Sequence, residues 1–400
     1  MADAGDEAPQ LTCKFVTKLP EEFRVPQAAL PFDFLINGEL LRGTIQQQLA
    51  SQGASVEVVT EIEYLPLQLP PTPGPSVPQD DWIASLVATG SAGGAYYSGS
   101  YDRCVRTVEG GEVVRTFQAG PKPVKALVRV PGLGLVTGDG DGRVALWSPE
   151  AVAGAEAPAT RAATLQAGGE EVAALAFSPV SGLVAAGGWA KGIRLWASEA
   201  VERAQEAAAE APEVSKKRRG TKGAAADAVV ETEVETQAVL TGHSGAVSAL
   251  DWTAEGRLLS GSWDHSARLW DAATESQLDS FSLGKVVYAV ACAQEGPDLL
   301  AVAGADLAIR LWDPRASGEE AAPLRLRGHQ HWVAGLAWHP ERAHLLASVS
   351  LDGTACLWDA RAAIPLHTLN PTSGKLLALA WSGDELAVGG EGKQVHTFTL

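Results

Sequence analysis

The sequence predicts a mainly β protein, a seven-bladed β-propeller preceded by a small α+β domain. A motif recurs along the chain, in which an apolar strand, small residues and an aspartate precede a second strand that ends in tryptophan. Most copies lie about 40–45 residues apart, the period of one four-stranded blade. The 12 tryptophans and 42 glycines among 400 residues also favour a repeat.

The register of the repeat is a six-residue step from aspartate to tryptophan. Four copies keep both residues, and three keep the register with substitutions. The seven pairs are Asp102/Val108, Asp141/Trp147, Ala190/Trp196, Asp264/Trp270, Asp306/Trp312, Asp352/Trp358 and Gly392/Phe398. Successive end positions are 39 to 49 residues apart, apart from one step of 74 that contains an insertion of about 30 residues. Seven copies predict seven blades, which close into a ring with few exposed strand edges.

Two blades carry a histidine upstream of the repeat, in Gly242-His243 and Gly328-His329. A buried histidine that pairs with the turn aspartate, a strand serine and the tryptophan indole would satisfy all four polar groups. We therefore expect complete networks in two blades only, and mainly apolar packing in the others. The predicted network residues are His243, Asp264 and Trp270 in one blade, and His329, Asp352 and Trp358 in the other.

Composition excludes several classes of protein. The 31 Lys and Arg against 48 Asp and Glu give a net charge of −17, which argues against nucleic-acid binding over the whole surface and favours basic partners. The four cysteines are far apart and form no CxxC pair, so neither a disulfide framework nor a zinc ribbon is expected. The longest apolar run, Val286–Ala293, is far shorter than the roughly 18 residues of a membrane span, and no membrane partner is expected.

Enzyme signatures are missing from the sequence. There is no P-loop, no GxSxG elbow and no HExxH motif. The run Gly138–Gly142 suggests a calcium loop, but Arg143 stands where a ligand is required. We therefore predict no catalytic residues, no metal site and no cofactor.

The N-terminal region does not follow the repeat. We expect an α+β domain over 11–66, a Pro-rich linker over 67–79 and the propeller over 80–400. Within the first domain, the sequence predicts a hairpin over 11–18 and 21–26, strands at 32–36 and 58–65, a turn at Asn37-Gly38 and a helix at 44–52.

The long insertion, at about 199–236, is rich in Ala and Glu and is expected to be mobile with some helix. It contains a run of four basic residues in an otherwise acidic chain. This run is Lys216, Lys217, Arg218 and Arg219. Such a run is typical of a nuclear-localisation signal or a nucleic-acid patch, and the alternative is a solvated loop.

Four aromatic residues are predicted at one rim of the ring. Tyr101, Trp189 and Trp263 each precede the turn of their blade, and Trp332 follows the loop that leads into a blade. Exposed aromatic side chains make good hot spots for a partner, and the alternative is packing between blades.

These motifs resemble the WD40 family over about residues 80–400. The segments KFVTKLPEE, PFDFLINGELLR, EIEY and DDWI also resemble the ribosome-biogenesis WD-repeat protein 12 family, called Ytm in yeast. That resemblance implies an N-terminal ubiquitin-like (NLE) domain before the propeller. One feature departs from the family, because only Gln27–Pro31 precedes the PheAspPheLeu strand where the family has a longer segment with the first helix. A parallel crossover needs a dozen residues or more, so we expect an incomplete domain.

The resemblance further implies a non-catalytic scaffold in 60S subunit biogenesis and rRNA maturation, in the nucleolus and nucleoplasm. Implied partners are pescadillo, the block-of-proliferation (Erb) propeller, the midasin ATPase and the pre-60S particle. Glu57 matches the family glutamate that completes a metal site on midasin, whose Mg²⁺ belongs to the partner. The alternative is a solvated loop glutamate, with Glu61 and Glu63 as competitors. Rival functions are a substrate receptor of a ubiquitin ligase or other signalling scaffold, and a propeller enzyme.

Overall fold

The computed structural model describes residues 13–17, 32–36, 39–40, 45, 60–66, 70–90, 94–148, 161–166, 168–210, 233–295, 298–315, 323–361, 365–371 and 374–400. Within these residues, one small sheet lies near the N-terminus, and seven further sheets form a seven-bladed β-propeller. The predicted seven-bladed fold is therefore confirmed. None of the described helices is both long and apolar enough to cross a bilayer.

The N-terminal sheet has four strands in the order β1-β4-β2-β3. They are β1 (Cys13–Thr17), β2 (Phe32–Ile36), β3 (Glu39–Leu40) and β4 (Thr60–Pro66). Strand β1 is parallel to β4, and β2 is antiparallel to both β4 and β3. The parallel pair is joined by residues 18–59, a connection long enough for a crossover. The predicted strand at 21–26 and nearly all of the predicted helix at 44–52 lie outside the described residues.

Each blade has four antiparallel strands, of which the first lines the central channel. The fourth strand lies at the outer edge, except in blade 2, where the two-residue strand β17 (Glu233–Val234) pairs in parallel beyond it. Blades 1 to 3 consist of β6 (Ile83–Ala88), β7 (Tyr96–Ser100), β8 (Cys104–Glu109) and β9 (Glu112–Gln118); β10 (Val124–Val130), β11 (Gly134–Asp139), β12 (Arg143–Trp147) and β13 (Arg161–Gln166); β14 (Val172–Ser178), β15 (Leu183–Gly188), β16 (Ile193–Ala197) and β18 (Ala238–Leu240).

The later blades repeat the pattern. Blades 4 to 7 consist of β19 (Val247–Trp252), β20 (Leu258–Ser262), β21 (Ser266–Asp271) and β22 (Ser276–Ser282); β23 (Val287–Cys292), β24 (Leu300–Gly304), β25 (Ala308–Trp312) and β26 (Leu324–Arg327); β27 (Val333–Trp338), β28 (Leu345–Ser350), β29 (Ala355–Asp359) and β30 (Pro365–Leu369); β31 (Leu376–Ser382), β32 (Glu385–Gly390), β33 (Gln394–Thr399) and β5 (Thr72–Pro78). Strand β5 is thus the only member of the last blade that comes from the start of the propeller.

The core consists of apolar clusters between neighbouring blades. One cluster joins Ile193 and Leu195 of blade 3 to Val247, Leu250 and Trp252 of blade 4. These side chains point toward the neighbouring blade because successive residues of a strand alternate between its two faces. Burial of such side chains between sheets is the main favourable term in the stability of the ring.

Glycines in the second strand of a blade permit the blades to approach closely. A Cβ built on Gly261 would lie 2.5 Å from a methyl carbon of Val287 in the next blade. Gly187 is in the same relation to Val247, at 2.7 Å, and Gly138 to Val172, also at 2.7 Å. The small residues before the turn aspartate therefore serve contact between blades as well as the turn itself.

The ring closes through β5, which pairs antiparallel with β33 at the other end of the propeller. The prediction of a linker over 67–79 is therefore wrong for residues 72–78. The prolines of this segment suggested a linker. An outermost strand tolerates proline, however, because the N–H groups on its outer edge pair with no neighbouring strand. Val77 is the residue of β5 that reaches the core, and it is 2% exposed.

Both ends of the long insertion pack against blade 2. It begins as helix α1 (Ser198–Glu210), whose Ala- and Glu-rich sequence favours a helix. It ends in β17 (Glu233–Val234), which pairs in parallel with β13. Val201, Ala204 and Val234 belong to the same buried cluster as Trp196. The expected mobility is thus wrong for these ends, and residues 211–232 lie outside the described residues.

Candidate functional site

One face of the ring gathers the loops that precede each first strand and the turns that link each second and third strand. These two sets lie on the same side because neighbouring strands of a blade run in opposite directions. Tyr101, Trp189 and Trp263 lie directly after second strands, and Trp332 lies directly before a first strand. All four are therefore on this face, which we call the upper face.

Four aromatic rings from blades 3 to 6 form a continuous strip on the upper face. Trp189 contacts Trp263 with ring centroids 5.2 Å apart, and Trp263 contacts Tyr288 at 6.3 Å. Tyr288 stacks on Trp332 at 5.4 Å. The three tryptophans remain 41–49% exposed, so their indoles are accessible as well as mutually packed. We call Trp189, Trp263, Tyr288 and Trp332 the aromatic strip.

Tyr101 lies across the channel mouth in a separate group. Its ring packs edge-on against Trp82 at 5.8 Å, and its hydroxyl accepts a 2.9 Å hydrogen bond from Lys125 Nζ. The Lys125 ammonium also lies 4.3 Å from the Tyr101 ring centroid and 3.5 Å from a carboxylate oxygen of Glu171. Although burial acts in the opposite direction, Tyr101 and Glu171 raise the pKa of Lys125, and its ammonium is charged near neutral pH.

The strip and the Tyr101 group border one mainly apolar cleft at the mouth of the channel. Its volume is about 410 Å³, and alanine, valine and leucine side chains such as Ala246, Val247 and Leu351 complete its walls. Below it, the channel is lined by the first strands of all seven blades, mostly with alanine, serine and leucine. Apolar walls with few charged groups suit the binding of another molecule better than acid–base chemistry.

Tyr288 and Lys125 are site residues that the sequence interpretation missed. Each is the second residue of its first strand, directly after a buried valine. The corresponding residue of blade 3 is Ala173, and that of blade 4 is Ser248. Alternation along the strand places this position toward the channel, so the repeat register contained a signal for both residues.

The polar network of blade 4 is complete. His243 lies 2.7 Å from Asp264 Oδ2 through Nδ1 and 2.7 Å from Ser260 Oγ through Nε2, while Trp270 Nε1 donates to Ser260 Oγ at 2.8 Å. A carboxylate can only accept, so Nδ1 donates and Nε2 accepts from the serine. Burial lowers the pKa of His243, which keeps the ring neutral. Partial burial acts to raise the pKa of Asp264. Hydrogen bonds from Ser266 and His243 nevertheless hold this pKa well below its usual value.

Blade 6 repeats this network, with Thr354 in the position that Ser266 holds in blade 4. His329 bonds Ser348 Oγ at 2.7 Å and lies 3.2 Å from Asp352, while Trp358 Nε1 donates to Ser348 at 2.7 Å. Hydrogen bonds led by that from Thr354 outweigh burial and lower the pKa of Asp352 to about 2. Both buried networks hold the turns of the upper face, and none of their polar atoms faces the cleft.

Blade 3 has no serine at the position of Ser260, so the indole N–H of its tryptophan, Trp196, has no acceptor among the described residues. The Nε1 atom of Trp196 is buried. The residue ten positions before the tryptophan is Ser260 in blade 4 and Ala186 in blade 3. Because an unpaired buried donor costs about 1–3 kcal/mol, this position is a site for stabilisation.

Replacing Ala186 by serine is expected to raise the free energy of unfolding by about 1 kcal/mol, because the new hydroxyl accepts from Trp196 Nε1. Urea unfolding followed by circular dichroism measures the change. The matched control is Ala185→Ser, whose buried side chain lies on the other face of β15. That hydroxyl has no such partner and should destabilise the protein. Equal destabilisation by both variants would contradict this assignment.

Two predicted sites lie outside the described residues. These are Glu57 and the basic run Lys216–Arg219. Among the residues that the structure does describe, no group of three or more His, Cys, Asp or Glu side chains is arranged to hold a metal ion. The described part of the molecule therefore offers the upper face as its candidate functional surface.

The chain is similar to known proteins over almost its whole length. A profile described as "WD domain, G-beta repeat" matches residues 160–197, 234–271 and 323–359. The ribosome biogenesis protein WDR12 homolog of Chlamydomonas reinhardtii is 36% identical over 94% of this chain and 93% of its own length. The chain belongs to the WDR12/YTM1 family of ribosome biogenesis proteins.

Two further family members show the breadth of the similarity. The WDR12 homolog of Nematostella vectensis is 31% identical over 92% of this chain and 87% of its own length. The ribosome biogenesis protein YTM1 of Meyerozyma guilliermondii is 30% identical over 92% of this chain and 85% of its own length. Membership in the WDR12/YTM1 family supports a role in ribosome biogenesis for this chain.

Proposed function

We propose that this chain is a non-catalytic scaffold in the formation of the large (60S) ribosomal subunit and the maturation of its rRNA. The exposed aromatic strip beside an apolar cleft is the observation that carries the scaffold role, because large accessible aromatic side chains are typical of binding surfaces. Similarity to WDR12/YTM1 proteins over more than nine-tenths of the chain supports the pathway.

The proposed partners follow the family resemblance. The propeller binds the block-of-proliferation (Erb) propeller and, through it, pescadillo on the pre-60S particle. The N-terminal domain binds the midasin ATPase, which removes the complex from the particle. In this scheme the chain tethers proteins to each other, and the ATPase chemistry belongs to midasin.

The aromatic strip is the proposed contact with the partner propeller. Replacing Trp263 and Trp332 together by alanine is expected to weaken binding at least tenfold, because central aromatic side chains contribute about 2 kcal/mol or more each to an interface. Binding is measured by calorimetry with the purified partner propeller. The control is Val180→Ala, an exposed residue in the loop between β14 and β15 on the opposite face. Unchanged affinity of the double tryptophan variant would contradict this contact.

Glu57 is the proposed ligand to the Mg²⁺ of midasin, since a magnesium ion with an open coordination position accepts a carboxylate oxygen from a partner. Replacing Glu57 by alanine is expected to abolish capture of midasin by the full chain while binding to the partner propeller is unchanged. Glu61→Ala and Glu63→Ala are the matched controls in strand β4. Undiminished capture by the Glu57 variant would refute the assignment.

We also propose that the chain works in the nucleolus and nucleoplasm. The basic run Lys216–Arg219 serves as its import signal. A role in assembling pre-60S particles, which the family relationship supports, would require a nuclear site.

A further inference from the structure

The edge of blade 2 shows how this chain extends a blade by one strand. Strand β17 pairs in parallel with Thr164 and Leu165 of β13. Helix α1, which comes from the connection between the third and fourth strands of blade 3, packs against both β13 and β17. Val201 of the helix and Val234 of β17 are buried there in one cluster with Ala163. The fifth strand is thus held by an open strand edge and by a connection from the next blade.

The outer edge of blade 4 matches that of blade 2, but no described strand pairs with it. In the repeat register, Ser280 and Phe281 of β22 take the positions of Thr164 and Leu165. Strand β22 is seven residues long and contains no proline, lysine or arginine, the residues that commonly protect an outer edge. The other open outer strands that the structure describes either have three residues, as in β18, or contain proline or arginine, as in β5, β9, β26 and β30.

A groove of about 490 Å³ runs beside β22, and we call it the blade 4 groove. Leu278, which is 49% exposed, and Pro314 give it apolar walls. Pro314 belongs to the connection between the third and fourth strands of blade 5, the counterpart of the connection that forms helix α1 in blade 3. Asp279, which also lines the groove, takes the position of Ala163 in the register. The groove is therefore the counterpart of the place where α1 and β17 pack on blade 2.

The charges of the blade 4 groove favour a basic guest. Three carboxylates line it, those of Glu255, Asp271 and Asp279. Its one cation, Arg257, lies 2.7 Å from a carboxylate oxygen of Glu255. Because oppositely charged groups attract and like charges repel across an interface, this lining selects a basic segment over an acidic one.

The distribution of lysines points the same way. The groove is bordered by the turn between the first and second strands of blade 4, so it lies on the face opposite the upper face. The described lysines of the propeller all lie on the upper face, in the loops before first strands, at the start of a first strand or in the turns after second strands. They are Lys122, Lys125, Lys191, Lys285, Lys375 and Lys393. A basic segment that approaches the groove therefore meets no described lysine on that face.

We propose that β22 binds an extended basic segment of a partner protein as a fifth strand of blade 4. The segment runs parallel to β22, as β17 runs parallel to β13, and its backbone pairs with the edge at Ser280 and Phe281. An apolar side chain of the segment contacts Leu278 and Pro314, and a lysine or arginine pairs with Asp279. The inference goes beyond the proposed function, which uses the upper face and the N-terminal domain and gives the blade 4 groove no role.

The test uses the full chain and three capped peptides of equal length as probes. One alternates lysine with valine, one alternates lysine with proline, and one alternates glutamate with valine. The lysine–proline peptide keeps the charge but lacks half of the N–H groups that a strand needs. By fluorescence polarisation, we expect the lysine–valine peptide to bind at least about threefold more tightly than either of the others. Hydrogen–deuterium exchange should slow at Ser276–Ser282 when it binds.

A matched pair of variants locates the site. Asp279→Lys should weaken binding of the lysine–valine peptide by about threefold or more, because it reverses a charge in the groove. Glu112→Lys makes the same change on the exposed outer strand of blade 1 and should leave binding unchanged. Equal binding of the lysine–proline peptide, unchanged exchange in β22 or equal loss in the two variants would overturn the proposal. Because no ribosomal precursor or partner protein takes part, its failure is distinguishable from failure of the proposed function.

Discussion

Replacing Val77 by aspartate is expected to lower the free energy of unfolding of the propeller by about 3–5 kcal/mol. Val77 is 2% exposed and packs with Ile83 and Val395 in the cluster that joins blade 7 to blade 1. An unpaired buried carboxylate has a cost of this size, and loss of the apolar contact adds to it. Because β5 closes the ring, the variant should also expose the edge of β33.

The control for this prediction is Ser76→Asp, one residue earlier on the exposed face of the same strand. It introduces the same charge into β5 without burying it and should change stability by less than about 0.5 kcal/mol. Urea unfolding followed by tryptophan fluorescence measures both variants. Equal stability of Val77→Asp and the unmodified chain would show that residues 72–78 are a linker after all.

Replacing His243 by alanine is expected to lower the free energy of unfolding by about 3 kcal/mol. The change removes the partner of both Asp264 and Ser260 inside blade 4 and leaves a carboxylate with fewer hydrogen bonds in a largely buried position. Unpaired buried polar groups cost about 1–3 kcal/mol each, more when charged, and the lost ring adds a cavity. Thermal unfolding followed by circular dichroism measures the loss.

His265→Ala is the matched control, since His265 is exposed in the same turn and has the positive φ of 71°. It should leave stability within about 0.5 kcal/mol of the unmodified chain. A loss that is equal in the two variants would mean that the buried network contributes nothing beyond the turn conformation.

Much of the propeller could be predicted because the same spacing and the same contacts recur from blade to blade. A step of six residues links Asp264 to Trp270 and Asp352 to Trp358, and the same step located blades 1 and 7 even where Val108 and Phe398 replace tryptophan. Hydrogen bonds within one blade are local in sequence, so His243 and His329 could be assigned to their networks from spacing alone.

The missed features depend on contacts between distant parts of the chain. Strand β5 pairs with β33 more than 300 residues later, and its prolines are tolerated only because that position is an outer edge. The aromatic strip needs Tyr288, which a single strand cannot reveal as a neighbour of Trp332. The buried side chains of helix α1 likewise pack against blade 2, which precedes the helix in sequence.

We propose that this propeller serves as a scaffold on precursors of the large ribosomal subunit. Affinity purification of the tagged full chain from its native cells, followed by mass spectrometry and detection of rRNA precursors, tests it most directly. We predict recovery of pescadillo, the block-of-proliferation propeller and large-subunit precursor rRNA. Recovery of a cullin adaptor with no ribosomal precursor would contradict the claim and favour a substrate receptor of a ubiquitin ligase.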